Sequence, residues 1–133
     1  MVRVLNERNV DFVLHAGDYV APFSVLLLKD LNCDWLGVLG NNDWEVSGLG
    51  AVSEDRIKKG PYFLELCSKK IVLMHEFSDF DCDILVFGHT HKPKIEQAGK
   101  LLINPGEVCG WLSNKSSLAV LDLESQDAEI VYF

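Results

Sequence analysis

The 133-residue sequence predicts a single α/β domain, residues 1–133, built as two packed mixed β-sheets flanked by helices. Three observations predict it. Short apolar runs alternate with helical patterning in the first half. Later runs come in pairs around tight-turn residues. The runs that carry histidine, or that precede Gly-Asn-Asn-Asp, stop abruptly at small or polar residues.

Residues 1–9 set Val2 and Leu5 among polar neighbours, like the last turns of an amphipathic helix. A βαβ unit places a strand before such a helix, so the chain reads as beginning inside its first crossover, without a first β-strand. A strand is predicted at residues 11–15, stopping at Ala16-Gly17-Asp18. A helix over residues 22–31 follows, with Pro22 at its start. The next strand, residues 35–39, stops at Gly40-Asn41-Asn42-Asp43. Strand, helix and strand in this order suggest parallel packing. Residues 53–60 read as a short helix with Ser53 as cap and Gly60 as stop. In the second half, strands are predicted at residues 62–66 and 70–74 around Ser68-Lys69, and at residues 83–87. Residues 94–97 and 101–103 flank Ala98-Gly99-Lys100, and residues 117–123 and 128–133 form a last pair. Local hairpins of this kind suggest antiparallel pairing.

Composition excludes several classes. No apolar run approaches the roughly 20 residues that span a bilayer, and the N-terminus lacks a signal-peptide apolar core. A cytoplasmic protein with no membrane partner is expected. The formal net charge of −8 argues against nucleic acid as a partner, which would need a basic footprint. It does not oppose a small phosphate ester, because bound cations reverse the local sign. Cys33, Cys67, Cys82 and Cys109 form no C-x-x-C pair, and buried reduced thiols are the expectation for Cys67 and Cys82 beside apolar runs.

The chemistry-bearing residues share one position in the pattern. His15, His75, His89 and His91 each lie at or just after the end of an apolar run. Asn41 and Asp43 follow another. In open α/β sheets, ligands bind beyond the carboxyl ends of the strands, so parallel neighbours would bring these clusters to one edge. Imidazole and carboxylate are ligands for zinc, manganese, iron or nickel. His89 and His91 are two apart, and an extended backbone would point both to the same side. Gly17, Gly40 and Gly88 each precede a candidate ligand, where a backbone without Cβ turns sharply or approaches closely. Taken singly, each signal is weak: a strand-end histidine is more often structural, and Gly-Asp or Asn-Asn-Asp alone is a turn. The ordered set carries the signal.

In that order Gly17-Asp18, Gly40-Asn41-Asn42-Asp43, His75 and Gly88-His89-Thr90-His91 resemble the successive motifs of the calcineurin-like metallophosphoesterases. Asn104-Pro105-Gly106-Glu107 is similar to a loop in their small archaeal and bacterial phosphodiesterase branch, which has the retromer scaffold subunit as a relative. The resemblance implies a metallophosphoesterase-like α/β sandwich and a two-metal centre of Mn, Ni, Zn, Fe or Mg. Asp18 would bridge both ions, Asn41, His75 and His89 would complete one site, and His91 would bind the other. It implies hydrolysis of a phosphodiester by a metal-activated water, with Asn42 and Asp43 as the catalytic pair, Asp43 orienting the residue at position 42.

The chain departs from the family pattern in ways that matter. No Asp-x-His motif is present, so the second metal keeps only Asp18 and His91 and is expected to bind weakly, because metal sites usually use three or four protein ligands. Asn42 stands where active relatives often carry histidine, and an amide is no general acid near neutral pH, which favours activated diesters. Glu76 replaces a common glycine, and the short segment 76–83 implies a reduced cleft wall. His15 is read as a packed strand histidine. The alternative to an enzyme is a weak or inactive metal-binding scaffold, with Trp35, Trp44 and Trp111 as partner anchors; core packing or cleft lining is the other reading of these rings, and fits Trp35 better than Trp44 or Trp111. The missing first strand would expose a neighbouring edge, and a homo-oligomer is the corresponding expectation.

Overall fold

The computed structural model describes all residues 1–133. Helix α1 (Val2–Glu7) leads into strand β1 (Phe12–His15). Helix α2 (Pro22–Val25) passes into a tighter 3₁₀ turn at Leu26–Asp30, so the expected helix over residues 22–31 is present in two parts. Strand β2 (Asp34–Val38), helix α3 (Val46–Ser53) and the two-residue strand β3 (Ile57–Lys58) complete the first half. Strands β1, β2 and β3 form a three-stranded, wholly parallel sheet.

Here the sequence reading needs correction. The helix lies at Val46–Ser53 and not at residues 53–60. Ser53 ends it, with its hydroxyl donating back to the Gly50 carbonyl, and left-handed Glu54 and Asp55 turn the chain into β3. Two glycines depress the intrinsic helix propensity of Val46–Ser53 and hid the helix. Tertiary packing overrides that propensity. A Cβ on Gly48 would come within 2.8 Å of Pro22 Cγ, so the missing side chain lets α3 lie against α2.

The second half holds β4 (Tyr62–Leu66), β5 (Lys69–Leu73), β6 (Ile84–Val86), β7 (Lys94–Gln97) and β8 (Leu101–Asn104) in one five-stranded sheet of order β4-β5-β6-β8-β7. The hairpins β4–β5 and β7–β8 are antiparallel as expected, but β5–β6 and β6–β8 are parallel. Turn signals mark only sequential neighbours, so they indicated the two hairpins, and the parallel pairs make this one of the mixed sheets expected. Cys67 and Ser68, both with positive φ, make the two-residue turn of the first hairpin. That places Cys67 in solvent, contrary to the expected burial, while Cys82 is half-buried. A separate antiparallel ribbon, β9 (Ser117–Leu121) with β10 (Ala128–Tyr132), makes a third ladder, where two sheets were expected.

The core follows the strand alternation. Ile71 and Leu73 of β5, with Ile84, Val86, Leu101 and Ile103, pack against Ala16 and Val38 from the ends of β1 and β2. Val72, Met74, Leu85 and Phe87 face the other way, under Phe80 and Cys82 of the segment before β6. Both faces of β5 and β6 are therefore buried, which is why these strands read as unbroken apolar runs. A further cluster joins Leu5, Val13, Trp35, Val25, Leu28 and Leu49 with Leu118 of β9.

Tyr19 is buried within that cluster, stacked 4.1 Å from the His15 ring, and its hydroxyl has no hydrogen-bond partner. A Cβ on Gly37 of β2 would fall 1.7 Å from this hydroxyl. Gly37→Ala is expected to destabilise the fold by roughly 1–3 kcal/mol through overpacking. Adding Tyr19→Phe should recover part of that loss, because the nearest ring carbon stands 3.0 Å away. Chemical denaturation of both variants checks this; equal losses would disprove the clash.

Candidate metal centre

Five parallel strand ends feed one site. The turn after β1 supplies Asp18, the turn after β2 supplies Asn41 to Asp43, the residues after β5 supply His75, and the loop after β6 supplies His89 and His91. The loop after β8 supplies Glu107. Two sheets must approach closely for this to happen. Gly17 makes the approach possible: it has φ of +96°, and a Cβ there would lie 2.7 Å from the Gly40 nitrogen and 2.8 Å from His75 Nδ1.

Asp43 is buried and holds the two loops of the first sheet together. Its Oδ2 accepts the backbone N–H of Asp18 at 2.9 Å and of Gly40 at 2.7 Å, and its Oδ1 accepts that of Val20 at 2.8 Å. This clamp fixes Asp18 in a left-handed conformation, φ +62°. Asn42 donates its backbone N–H to Asp18 Oδ1 at 3.0 Å and its side-chain amide to Oδ2 at 2.8 Å. The hydrogen bonds of Asp43 thus go to the backbone, where the sequence suggested that it orients the residue at position 42.

His75 is buried, and its Nδ1 lies 2.7 Å from the carbonyl of Ala16. A carbonyl only accepts, so Nδ1 carries the proton and Nε2 of the neutral ring presents a lone pair. That Nε2 faces the Asn41 amide oxygen at 2.7 Å and Asp18 Oδ1 at 3.6 Å. His89 Nδ1 lies 2.9 Å from the same amide oxygen and 3.2 Å from His75 Nε2. With the His75 ring neutral and the Asn41 amide oriented with its oxygen inward, the contact between His75 Nε2 and Asn41 Oδ1 is acceptor against acceptor. A cation at the centre removes the conflict. Donors bound at about 2.1 Å to one ion stand about 3.0–3.4 Å from one another, and the separations here bracket that range. No three His, Cys, Asp or Glu side chains are arranged on their own to hold a metal ion. The inner set is mixed, with an amide oxygen as a full member and His89 open to solvent. Carboxylate, amide oxygen and two imidazoles fit a divalent first-row ion.

His91 stands apart from this set. It was expected to share a side with His89 through an extended backbone. Instead His89 and His91 both have left-handed backbones, φ +61° and +59°, and their rings take different partners. His91 Nδ1 meets Glu107 Oε2 at 2.9 Å. Glu107 is nearly inaccessible, and its Oε1 accepts the backbone N–H of Leu112 at 2.9 Å and of Ser113 at 2.6 Å. Desolvation raises its pKa, but hydrogen bonds from Ser113, His91 and Leu112 outweigh it and bring the value down to about 2. Asn104, also buried, donates to the Gly88 carbonyl at 2.7 Å and to Thr90 Oγ1 at 3.0 Å, pinning the histidine loop. The sequence reading did not assign Glu107 or Asn104 to the site. Their signal was the Asn104-Pro105-Gly106-Glu107 loop, which carries no histidine to mark it.

His15 sits beneath the site as a packed residue. Its Nδ1 accepts the Gly17 N–H at 3.2 Å, and burial pulls its pKa down to about 4 against the opposing pull of Asp43 and Asp18. Trp35 is buried, whereas Trp44 and Trp111 are 84% and 82% exposed.

Fold and site together define a class: an α/β protein with a donor cluster of divalent-metal type at converging strand ends. Residues 1–126 match the calcineurin-like phosphoesterase superfamily domain, and the chain belongs to that superfamily, whose members bind divalent metals. It is 29% identical over 140 residues to phosphodiesterase MJ0936 of Methanocaldococcus jannaschii, covering 95% of this chain and 84% of that protein. It is 27% identical over 161 residues to a probable metallophosphoesterase, MG207, of Mycoplasma genitalium, covering 98% and 89%. Among solved structures, an archaeal phosphodiesterase superposes with a TM-score of 0.91 at 27% identity, over 99% of this chain and 88% of that one. Vps29 of Entamoeba histolytica shares the fold, with a TM-score of 0.72 at 22% identity over 99% and 87%.

Two outcomes are expected. Asp43→Ala orphans three backbone N–H groups and should cost at least about 2 kcal/mol, read by denaturant unfolding. His15 has a native pKa below that of an unfolded histidine, about 6.5, so its contribution is complete above that pH and is lost as pH falls toward 4. Metal-free protein should therefore lose stability between pH 6.5 and 4. His15→Gln, whose amide oxygen can still accept from Gly17, should flatten that slope; an unchanged slope refutes the assignment.

Proposed function

We propose that this chain is a metal-dependent phosphodiesterase. In this reading Asp18, Asn41, His75 and His89 hold one divalent ion, and Asp18 with His91 holds a second more weakly. The observation that carries it is the inward-facing set of lone pairs, with His75 Nε2 against Asn41 Oδ1 at 2.7 Å. A divalent ion bound there would supply Lewis acidity toward a phosphoryl oxygen and acidify water. The chain's own residues supply the rest. Asn42 anchors both carboxylate oxygens of Asp18, and the Asp43 clamp holds that carboxylate at the strand ends. Neither offers a proton to a leaving group, because the amide of Asn42 is no acid and Asp43 accepts only from backbone N–H groups. Activated diesters are therefore the substrates of choice.

A second reading rests on the exposed apolar side chains Val20, Trp44, Trp111 and Leu112 on the loops that carry Asp18, Asp43 and Glu107, with Phe23 on the adjoining helix α2. These would serve a scaffold that binds a protein partner, a role to which the shared Vps29 fold lends support.

Hydrolysis of bis(p-nitrophenyl) phosphate with manganese or nickel separates the two. The enzyme reading expects a rate above metal alone, a fall of more than about 100-fold in Asp18→Ala, beyond the usual effect of an outer-shell partner, and a steep decline toward alkyl leaving groups. No rate above metal alone, with Asp18→Ala unchanged, would leave the scaffold.

A further inference from the structure

We infer that Glu107 is a positioning residue that sets the tautomer of His91 and keeps its Nε2 lone pair available to a divalent cation. The inference rests on the metal-dependent reading of the same site. Its basis is how the Glu107 carboxylate is oriented. Oε1 receives two backbone N–H groups, from Leu112 and Ser113, which can only donate. Oε2 faces His91 Nδ1 at 2.9 Å, with the Cys109 thiol 3.8 Å away. A carboxylate only accepts, so His91 must carry a proton on Nδ1. In the neutral ring Nε2 is then bare. About a third of the His91 side chain is solvent-accessible, against 3% of the Glu107 side chain, and the ring lies on the same loop as His89. A buried carboxylate behind a half-open imidazole is the arrangement by which outer-shell acids orient histidine ligands.

The Glu107 backbone is held independently. Its carbonyl accepts the Ser117 N–H at 2.9 Å, and the Ser117 hydroxyl donates to the Pro105 carbonyl at 2.7 Å. The loop therefore does not depend on the His91 contact for its path. Glu107→Gln then has a specific consequence. The Leu112 and Ser113 N–H groups keep an oxygen at the Oε1 position, which turns the new NH₂ toward His91 Nδ1. Nδ1 must now accept, the proton moves to Nε2, and the Nε2 lone pair is lost. The replacement has the same shape, so packing is retained.

The test uses the full chain with ¹⁵N-labelled histidine. In metal-free protein at pH 8, long-range ¹H–¹⁵N spectra should show the Nδ1–H tautomer for His91 in the wild type and the Nε2–H tautomer in Glu107→Gln. Manganese titration by calorimetry should show a binding event weakened about 10- to 100-fold in the variant, with an unchanged unfolding midpoint. Tautomer inversion together with weaker manganese binding supports the inference. A wild-type Nε2–H or doubly protonated ring, superimposable manganese isotherms, or a wild-type chain that takes up no manganese overturns it. Absence of diesterase activity in a wild type whose manganese affinity still depends on Glu107 would defeat the enzyme reading alone and leave this inference standing.

Discussion

One carboxylate holds the centre of this molecule together. Asp43 reaches from the turn after β2 to the backbone of Asp18 and Val20 after β1, and closes its own turn on Gly40. Parallel strands have no hairpin to join their ends, so the loops beyond them are free to diverge. A buried acceptor of three N–H groups removes that freedom and satisfies donors that would otherwise be orphaned away from water. Asp18 is held in a left-handed conformation by the same contacts, and its carboxylate is thereby set where the second sheet delivers His75. The site therefore depends on a residue that its own bonds turn away from the site.

The second sheet is attached by equally local means. The Ala16 carbonyl, at the end of β1, receives the Nδ1 proton of His75, at the end of β5. This bond crosses between the sheets and also decides which nitrogen faces the centre. Glu107 does the same for His91 from the end of β8. Two imidazoles are thus presented with the same chemistry by different acceptors, a neutral carbonyl and an ionised carboxylate. Asp18, His89 and His91 all have positive φ, so the loops that carry these side chains leave ordinary strand geometry. The cost of those conformations is borne by the Asp43 clamp and by buried Asn104, which fixes the histidine loop.

The apolar rim sets this site apart from a purely polar cleft. Trp44 directly follows the Asp43 clamp, and Trp111 adjoins the Leu112 amide that orients Glu107.

The sequence by itself determined the succession of strands along the chain apart from β3, the α/β class, and the rule that chemistry sits at strand ends. Apolar periodicity is a local property, and Phe12–His15, Asp34–Val38 and Ile84–Val86 all show it. Grouping Asp18, Asn41, His75 and His89 as one set came from the resemblance of their motifs to a known family. The sequence pattern missed helix Val46–Ser53, because glycine lowers propensity wherever it stands while the packing it permits is visible only against Pro22. It did not place β8 beside β6, because hydrogen bonds between distant segments leave no turn signal. Tertiary structure alone decided that Asp43 serves the backbone, that Glu107 stands behind His91, and that His89 and His91 face different partners. Each of these is a matter of which acceptor a given donor meets across the fold. Residue type states what a side chain can bond, but only the folded path of the chain states what lies within 3 Å of it.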